Sequence, residues 1–301
     1  MARSPGQLTE QAADEEHPMQ DLGEWLKAQR DRARTSPKTS AVLDLVGTNP
    51  RLASYASVAE LAERAGVNTA TVVRAAQSLG FAGWLDFRAE VRSRYLLSLS
   101  APEVGAEHAQ GTERPAVASV QQDVANLAQL SHGLDADRVD EFAAAIATAD
   151  RTTVVSTGSY TALAAPLAHL ATVMGYPVAS ETRGGTHLAN VIGQLDGRSC
   201  LVAISFWRLH LETFRATRAA RAKGATVCVL TDRLSSPLVD LASCALIVPS
   251  ESASWFPSMT AGVSAVTAVL TSLERQGGQR VQDAIAAMDT LWHELELYHR
   301  T

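Results

Sequence analysis

The sequence predicts a two-part fold: an all-α amino-terminal domain, then an α/β domain on a five-stranded parallel sheet. Three observations predict it. Apolar residues recur at helical spacing from Leu22 to about Leu99. After Arg151, short β-branched runs alternate with helical segments, the pattern of parallel strands covered on both faces. Between the two, residues 101–115 are rich in glycine, proline and charge and read as a linker. The 301 residues are 46% apolar and 19% charged, enough to bury two cores and too apolar for a wholly disordered chain.

Taken in order, residues 1–20 hold Pro5, Pro18 and the run Asp14-Glu15-Glu16 without apolar periodicity, and are expected to be a disordered tail. The domain at 21–99 follows. Ser36-Pro37 looks like a helix cap with proline in the first turn, opening a helix through Ala41, Val42, Leu45 and Val46. Ser57 and Glu60 form a capping box at the start of the next helix. Ala62 is small where two helices cross. Gly66 can take the left-handed backbone that ends a helix, and Val72 returns to the core with Leu61. The Ala-x3-Gly-x5-Val spacing predicts a helix-turn-helix with its second helix at about Thr69–Ser78.

That second helix is the candidate DNA reader. Starting near Asn68, it offers Asn68, Thr69, Ala70, Thr71, Val73, Arg74 and Gln77 to a major groove. Arg74 has the fork to reach guanine or phosphate, and Gln77 the amide to read adenine. An ordinary helical hairpin with an exposed arginine is the competing reading. The net charge of −6 divides unevenly, −3 over residues 1–20, +3 over 21–98 and −6 beyond, so the only basic segment coincides with the motif.

The stretch Leu79-Gly80-Phe81-Ala82-Gly83-Trp84-Leu85-Asp86-Phe87 resembles the hallmark of the RpiR family of transcriptional regulators, as does Ala65-Gly66-Val67 with Ala70-Thr71-Val72-Val73-Arg74. The likeness runs from about Ser36 to Leu99. It implies a DNA-binding headpiece in which Trp84 and Phe87 are a buried aromatic clasp, not DNA ligands.

In that family the headpiece is joined to a SIS (sugar isomerase) domain, and residues 136–276 look like one. Residues 100–135 would be linker and connecting helix, with an amphipathic helix from Ala116 to Leu130. A helix at about Ala136–Ala149 precedes runs at Thr153–Ser156, Pro177–Ser180, Cys200–Ser205, Thr226–Thr231 and Ala245–Pro249, the strands of a flavodoxin-like sheet. Helices are expected at Thr161–Met174, His187–Leu195, Leu211–Lys223, Pro237–Ala242 and Pro257–Arg275. A terminal helix over 277–301 lines up Val281, Ile285, Met288, Trp292, Leu295 and Tyr298 as a core or dimer stripe.

Ligands of such sheets sit beyond the carboxyl ends of the strands. The first strand ends in Ser156-Thr157-Gly158-Ser159-Tyr160, where a glycine, hydroxyls and helix-start amides suit an anion. A plain strand-to-helix turn is the alternative. After the third strand the resemblance implies a serine, serine, glycine, threonine and glutamate cradle. Here Ser205 and Glu212 match, whereas Trp207, Arg208 and His210 replace the second serine, the glycine and the threonine. Arg208 is expected to substitute by charge-assisted bonding. The candidate ligand residues are therefore Gly158, Ser159, Tyr160, Ser205, Trp207, Arg208 and Glu212. Asp232 and Ser235-Ser236-Pro237-Leu238 resemble another family segment and are read as marks of the fold.

His187 and His210 make no diagnostic acid–base pair, and Glu181, Arg183 and Glu251 lie where rim charges normally fall. Cys200, Cys228 and Cys244 sit in apolar runs and read as buried reduced thiols. No catalytic residue, metal or cofactor is expected, nor a membrane span or signal segment. The expectation is a cytoplasmic regulator, a homodimer or dimer of dimers, with duplex operator DNA and a small anionic, sugar-phosphate-like effector as partners. A sugar-phosphate isomerase and a regulator with a degenerate, non-binding SIS scaffold are the alternatives.

Overall fold

The computed structural model describes residues 22–33, 35–109 and 114–298. The expected tail at 1–20 lies outside them. The chain divides between Leu99 and Ser100 into two compact units.

The first unit is all helix: α1 (Leu22–Arg32), α2 (Pro37–Thr48), α3 (Pro50–Tyr55), α4 (Val58–Arg64), α5 (Thr69–Ser78) and α6 (Trp84–Ser98). Local chemistry sets these bounds. The Ser36 hydroxyl accepts the Thr39 amide, and Pro37 occupies the first turn of α2. Ser57 and Glu60 complete the capping box of α4. Gly66, at φ 64°, turns the chain so that the Val67 amide reaches the Ala62 carbonyl at 2.9 Å. Leu43, Val46, Leu61, Val72, Phe87 and Val91 fill the core. The aromatic clasp is present: Phe87 lies 5.2 Å from Phe81 and 5.8 Å from Trp84, and the Trp84 indole donates to the Ala56 carbonyl at 3.2 Å.

The second unit opens with α7 (Ala101–Ala109), α8 (Pro115–Gly133) and α9 (Ala136–Thr148). Strands β1 (Arg151–Ser156), β2 (Val178–Glu181), β3 (Ser199–Ile204), β4 (Thr226–Thr231) and β5 (Cys244–Ile247) pair in parallel in the order β2-β1-β3-β4-β5. Helices α10 (Thr161–Val173), α11 (Gly185–Gly193), α12 (Leu211–Ala222) and α13 (Thr260–Glu294) complete it. Successive strand residues point to opposite faces. Val154, Val202, Ile204 and Leu230 pack against Phe142 of α9, Leu163 and Leu167 of α10, and Leu273 of α13. Val155, Leu201, Ala203 and Val229 pack against Leu188 and Ile192 of α11 and Ala220 of α12. All three cysteines are buried and unpaired.

Three expectations need correction. The presumed linker at 101–115 contains α7, which docks onto its own unit. Val104 is 3% exposed, and His108 Nδ1 hydrogen-bonds the Ser254 carbonyl at 2.6 Å. The helix expected over Pro237–Ala242 is a single 3-10 turn, Val239–Leu241. The last two helices run on as α13, bent at Gly278 (φ 51°, ψ −133°). Of the expected stripe, Val281 on its second half is buried, whereas Leu295 and Tyr298 lie past the end of the helix and are exposed.

Candidate functional site

Two places collect the expected site residues, one in each unit. In the first unit Asn68 caps α5, its Oδ1 accepting the Thr71 amide at 2.9 Å and the Thr71 hydroxyl at 2.8 Å. The Arg74 guanidinium donates to the same hydroxyl at 3.0 Å. This string lays Arg74 along the amino-terminal half of the helix, already oriented. Thr69, Ala70, Arg74 and Gln77 are exposed and Val73 is half-buried. Gln77 donates weakly to the Ala82 carbonyl at 3.3 Å. Thr71 departs from expectation. It is 3% exposed, turned inward, and holds Arg74 instead of presenting an edge to a partner.

In the second unit the order β2-β1-β3-β4-β5 reverses direction between β1 and β3, the position where flavodoxin-like sheets open a crevice. The carboxyl ends of β1, β3 and β4 lie side by side there. Gly158 stands at φ 60° with open space where a Cβ would be, and Ser159 beside it is exposed. Ser205 is buried. Trp207 has φ 50°, rare for a tryptophan, because its amide is pulled onto Asp232 Oδ2 at 2.7 Å while Arg233 Nη1 binds its carbonyl at 2.6 Å. Arg208 is exposed, its guanidinium 4.6 Å from the centre of the Trp207 ring. Four buried polar atoms at this edge, Ser156 Oγ, Ser205 Oγ, Trp207 Nε1 and Asp232 Oδ1, make no hydrogen bond among the described residues. Buried polar atoms are normally satisfied, so this edge holds hydrogen-bonding capacity that the described residues leave unused.

Two expected ligand residues are committed elsewhere. Tyr160 is buried edge-on to Phe206, centroids 5.7 Å apart, and its hydroxyl donates to the Phe206 carbonyl. Burial, reinforced by the nearby Asp232 carboxylate, pushes its ionisation far above the ordinary tyrosine range, so the proton stays on that bond. The Glu212 carboxylate accepts the Gly185 amide at the start of α11. It approaches so closely that a Cβ on Gly184 would stand 2.7 Å from Oε2.

Sequence reading passed over Asp232, Arg233 and Ser250 as site residues. Asp232 is the hub: besides Trp207 it accepts the Ser250 hydroxyl at 3.2 Å, and Arg233, 4% exposed, lies 3.8 Å away. The run Thr231-Asp232 was visible, but nothing local says that its carboxylate reaches the β3 loop. His187, His210 and Arg183 are exposed. Arg183 pairs with buried Glu181 at 2.8 Å and holds its carboxyl below the usual range. The Glu251 carbonyl accepts the Asn126 amide. Among the described residues, no group of three His, Cys, Asp or Glu side chains could hold a metal ion, and no helix is long and apolar enough to cross a membrane.

Comparison with known proteins places both halves. Residues 22–96 match the family model for the helix-turn-helix domain of the rpiR family, and residues 145–275 match that for the SIS domain. An uncharacterized HTH-type transcriptional regulator of Haemophilus influenzae is 24% identical over 68% of this chain and 73% of its own length. Two solved structures share the fold. The sugar isomerase domain of an RpiR transcription factor from Sphaerobacter thermophilus covers 59% of this chain and 99% of its own, with 23% identity and a TM-score of 0.57. The Vibrio vulnificus NanR protein complexed with ManNAc-6P covers 91% and 98%, with 19% identity and a TM-score of 0.58. With the helix-turn-helix, the aromatic clasp and the five-stranded parallel sheet in place, residues 22–96 are a helix-turn-helix domain of the rpiR type and residues 145–275 a SIS domain.

Proposed function

We propose that this chain is a cytoplasmic, homodimeric transcriptional regulator that reads duplex DNA with α5 and senses a phosphorylated sugar or similar small anion at the carboxyl edge of its sheet. One observation carries the DNA reading: Thr69, Ala70, Arg74 and Gln77 are exposed on α5, and the arginine is oriented by the Asn68–Thr71–Arg74 string. Two such helices on a dimer meet two half-sites about one turn of DNA apart.

The four unsatisfied polar atoms and the adjacent Arg208 support a ligand at the sheet edge. The NanR protein complexed with ManNAc-6P, similar over most of this chain, makes phosphorylated sugars the class to test first. The chain also contains a route from that edge to the helices leading to the headpiece. Asp232 holds Ser250, whose carbonyl accepts the Ser258 amide at 2.9 Å, and the Ser258 hydroxyl binds Asp123 of α8. Ligand at the edge therefore acts on α8 through the loop at 250–258, and regulation is the difference in DNA affinity between the two arrangements.

The test is selection of a DNA site with the purified full-length chain, followed by binding with and without candidate sugar phosphates. A sequence-specific site whose affinity moves with one of them is the expected result. Arg208→Ala should abolish ligand-induced thermal stabilisation. No preference among duplexes, or isomerase turnover of a sugar phosphate, would overturn the reading.

A further inference from the structure

We infer that the outward face of α8 is a self-association surface that pairs with α8 of a second copy of this chain. A surface helix ordinarily turns its apolar stripe to the core and its polar face to water. On α8, Asp123 and Asn126 instead face inward, whereas Ser119, Gln121, Gln129, Ser131 and His132 are exposed. Asp123 accepts the Ser258 hydroxyl at 2.5 Å and the Thr260 hydroxyl at 2.8 Å. Asn126, 1% exposed, donates to the Glu251 carbonyl at 2.7 Å and receives Gln122 at 3.2 Å. Together with buried Leu130, these anchors fix the rotation of the helix and leave four of its larger apolar residues outside. Val117, Val120, Val124 and Leu127 are 48%, 63%, 62% and 36% exposed.

Their spacing and charge select the occupant. Steps of three, four and three residues are the repeat by which two helices interlock along their length. Between Arg114 and Asp135 the sequence has one Lys, Arg, Asp or Glu, and it is Asp123, turned inward. The outward face is thus without formal charge. Nucleic acid or a charged partner would be met by opposite charge. In a twofold pair each residue near the axis meets its own kind, so a charged face repels itself and an uncharged apolar one does not.

The inference deepens the dimer assumed in the proposed function, and its test separates the two. Light scattering of the full-length chain over a concentration series should give a dimer. Val120→Glu with Val124→Glu should weaken association by about a hundredfold or more, with the helix content by circular dichroism unchanged because both positions are exposed within the protomer. Val124→Cys provides a second readout that does not need a disruptive change. All three native cysteines are buried, so a short bis-maleimide should join two chains only in this variant. A double variant that keeps the dimer mass, with no cross-link through Val124→Cys, would remove α8 from the interface and leave dimerisation standing. A wild-type chain that is monomeric at every concentration would remove the pairing itself.

Discussion

Arg74→Ala asks what α5 does. Arg74 is exposed, so its removal should leave the thermal midpoint unchanged. Its guanidinium is held 3.0 Å from the Thr71 hydroxyl, and Thr71 is buried and bonded to the Asn68 cap. A side chain already oriented gives up less rotamer freedom on binding. If Arg74 reads a guanine edge, its loss should cost about 1–3 kcal/mol per headpiece, roughly 5- to 150-fold in affinity, and relax specificity at that base. If it touches only phosphate, affinity should fall about equally on any sequence, and the slope of log K against log salt should drop by about 1 per headpiece. Fluorescence anisotropy over a salt series, on the selected operator and on a scrambled duplex, separates these outcomes. Thr71→Val, which keeps the shape and removes the tether, should weaken binding in the same direction by a smaller factor. If Arg74→Ala left both isotherms and both slopes unchanged, α5 would not be the reading helix.

Tyr160→Phe leaves the buried Phe206 carbonyl without its donor and should cost about 1–3 kcal/mol in urea denaturation while sparing ligand-induced stabilisation; loss of the ligand response instead would return Tyr160 to the binding surface. The Glu181 carboxyl is held below its usual value of 4.5, chiefly by hydrogen bonds from Arg183 against the opposing cost of burial. Its stabilisation is therefore complete above 4.5 and is lost as pH falls through the depressed value, so Glu181→Gln should flatten the acid limb of stability against pH; an unaltered limb would refute the pairing. Gly66→Ala meets no neighbour but must hold φ 64°, and should cost about 1–2 kcal/mol in chemical denaturation; an unaffected midpoint would mean that the turn relaxes.

What the residues disclosed before folding was whatever their near neighbours decide. The bounds of α5 follow from Asn68 and from Ser57, Glu60 and Gly66, all within a dozen positions, and the helix falls at Thr69–Ser78 as its pattern predicts. The α7 segment had a comparable local signal that composition hid. Ser100 and Glu103 repeat the Ser57–Glu60 spacing, the Ser100 amide donating to Glu103 at 2.7 Å and its hydroxyl at 2.6 Å, and Pro102 sits harmlessly in the first turn. Its remaining support comes from far along the chain, where Gly105 packs on Trp255 and His108 reaches Ser254. The ligand edge was harder still. Residue type made Tyr160 and Glu212 hydrogen-bonding candidates, but only the fold brings the Phe206 carbonyl to one and the Gly185 amide to the other. For the same reason Asp232 read as a turn residue although its carboxylate crosses between two strand ends to bind the Trp207 amide.

In the proposed regulator that crossing matters most for control, because Asp232 stands at both the candidate ligand edge and the loop that holds α8. The loop at 250–258 is tied at one end by Ser250 to Asp232 and at the other by Ser258 to Asp123, with Asn126 and His108 bonded to carbonyls between them. A ligand hydroxyl that donates to Asp232 Oδ1 draws on the carboxylate whose Oδ2 holds Ser250, and the headpiece can respond only as far as the ligand favours one of its two arrangements. The coupling has a signature that independent local effects lack. Whatever factor a bound sugar phosphate applies to DNA affinity, bound DNA must apply to sugar-phosphate affinity. Ser250→Ala cuts the near tie and Asp123→Asn weakens the far one. Each should bring both factors toward one together, with DNA affinity in the absence of ligand kept within about twofold, a change of only ~0.4 kcal/mol. The measurements are titrations of DNA with and without saturating sugar phosphate, and of sugar phosphate with and without DNA. Variants that bind both partners and retain the wild-type factor would show that the signal does not pass through this loop.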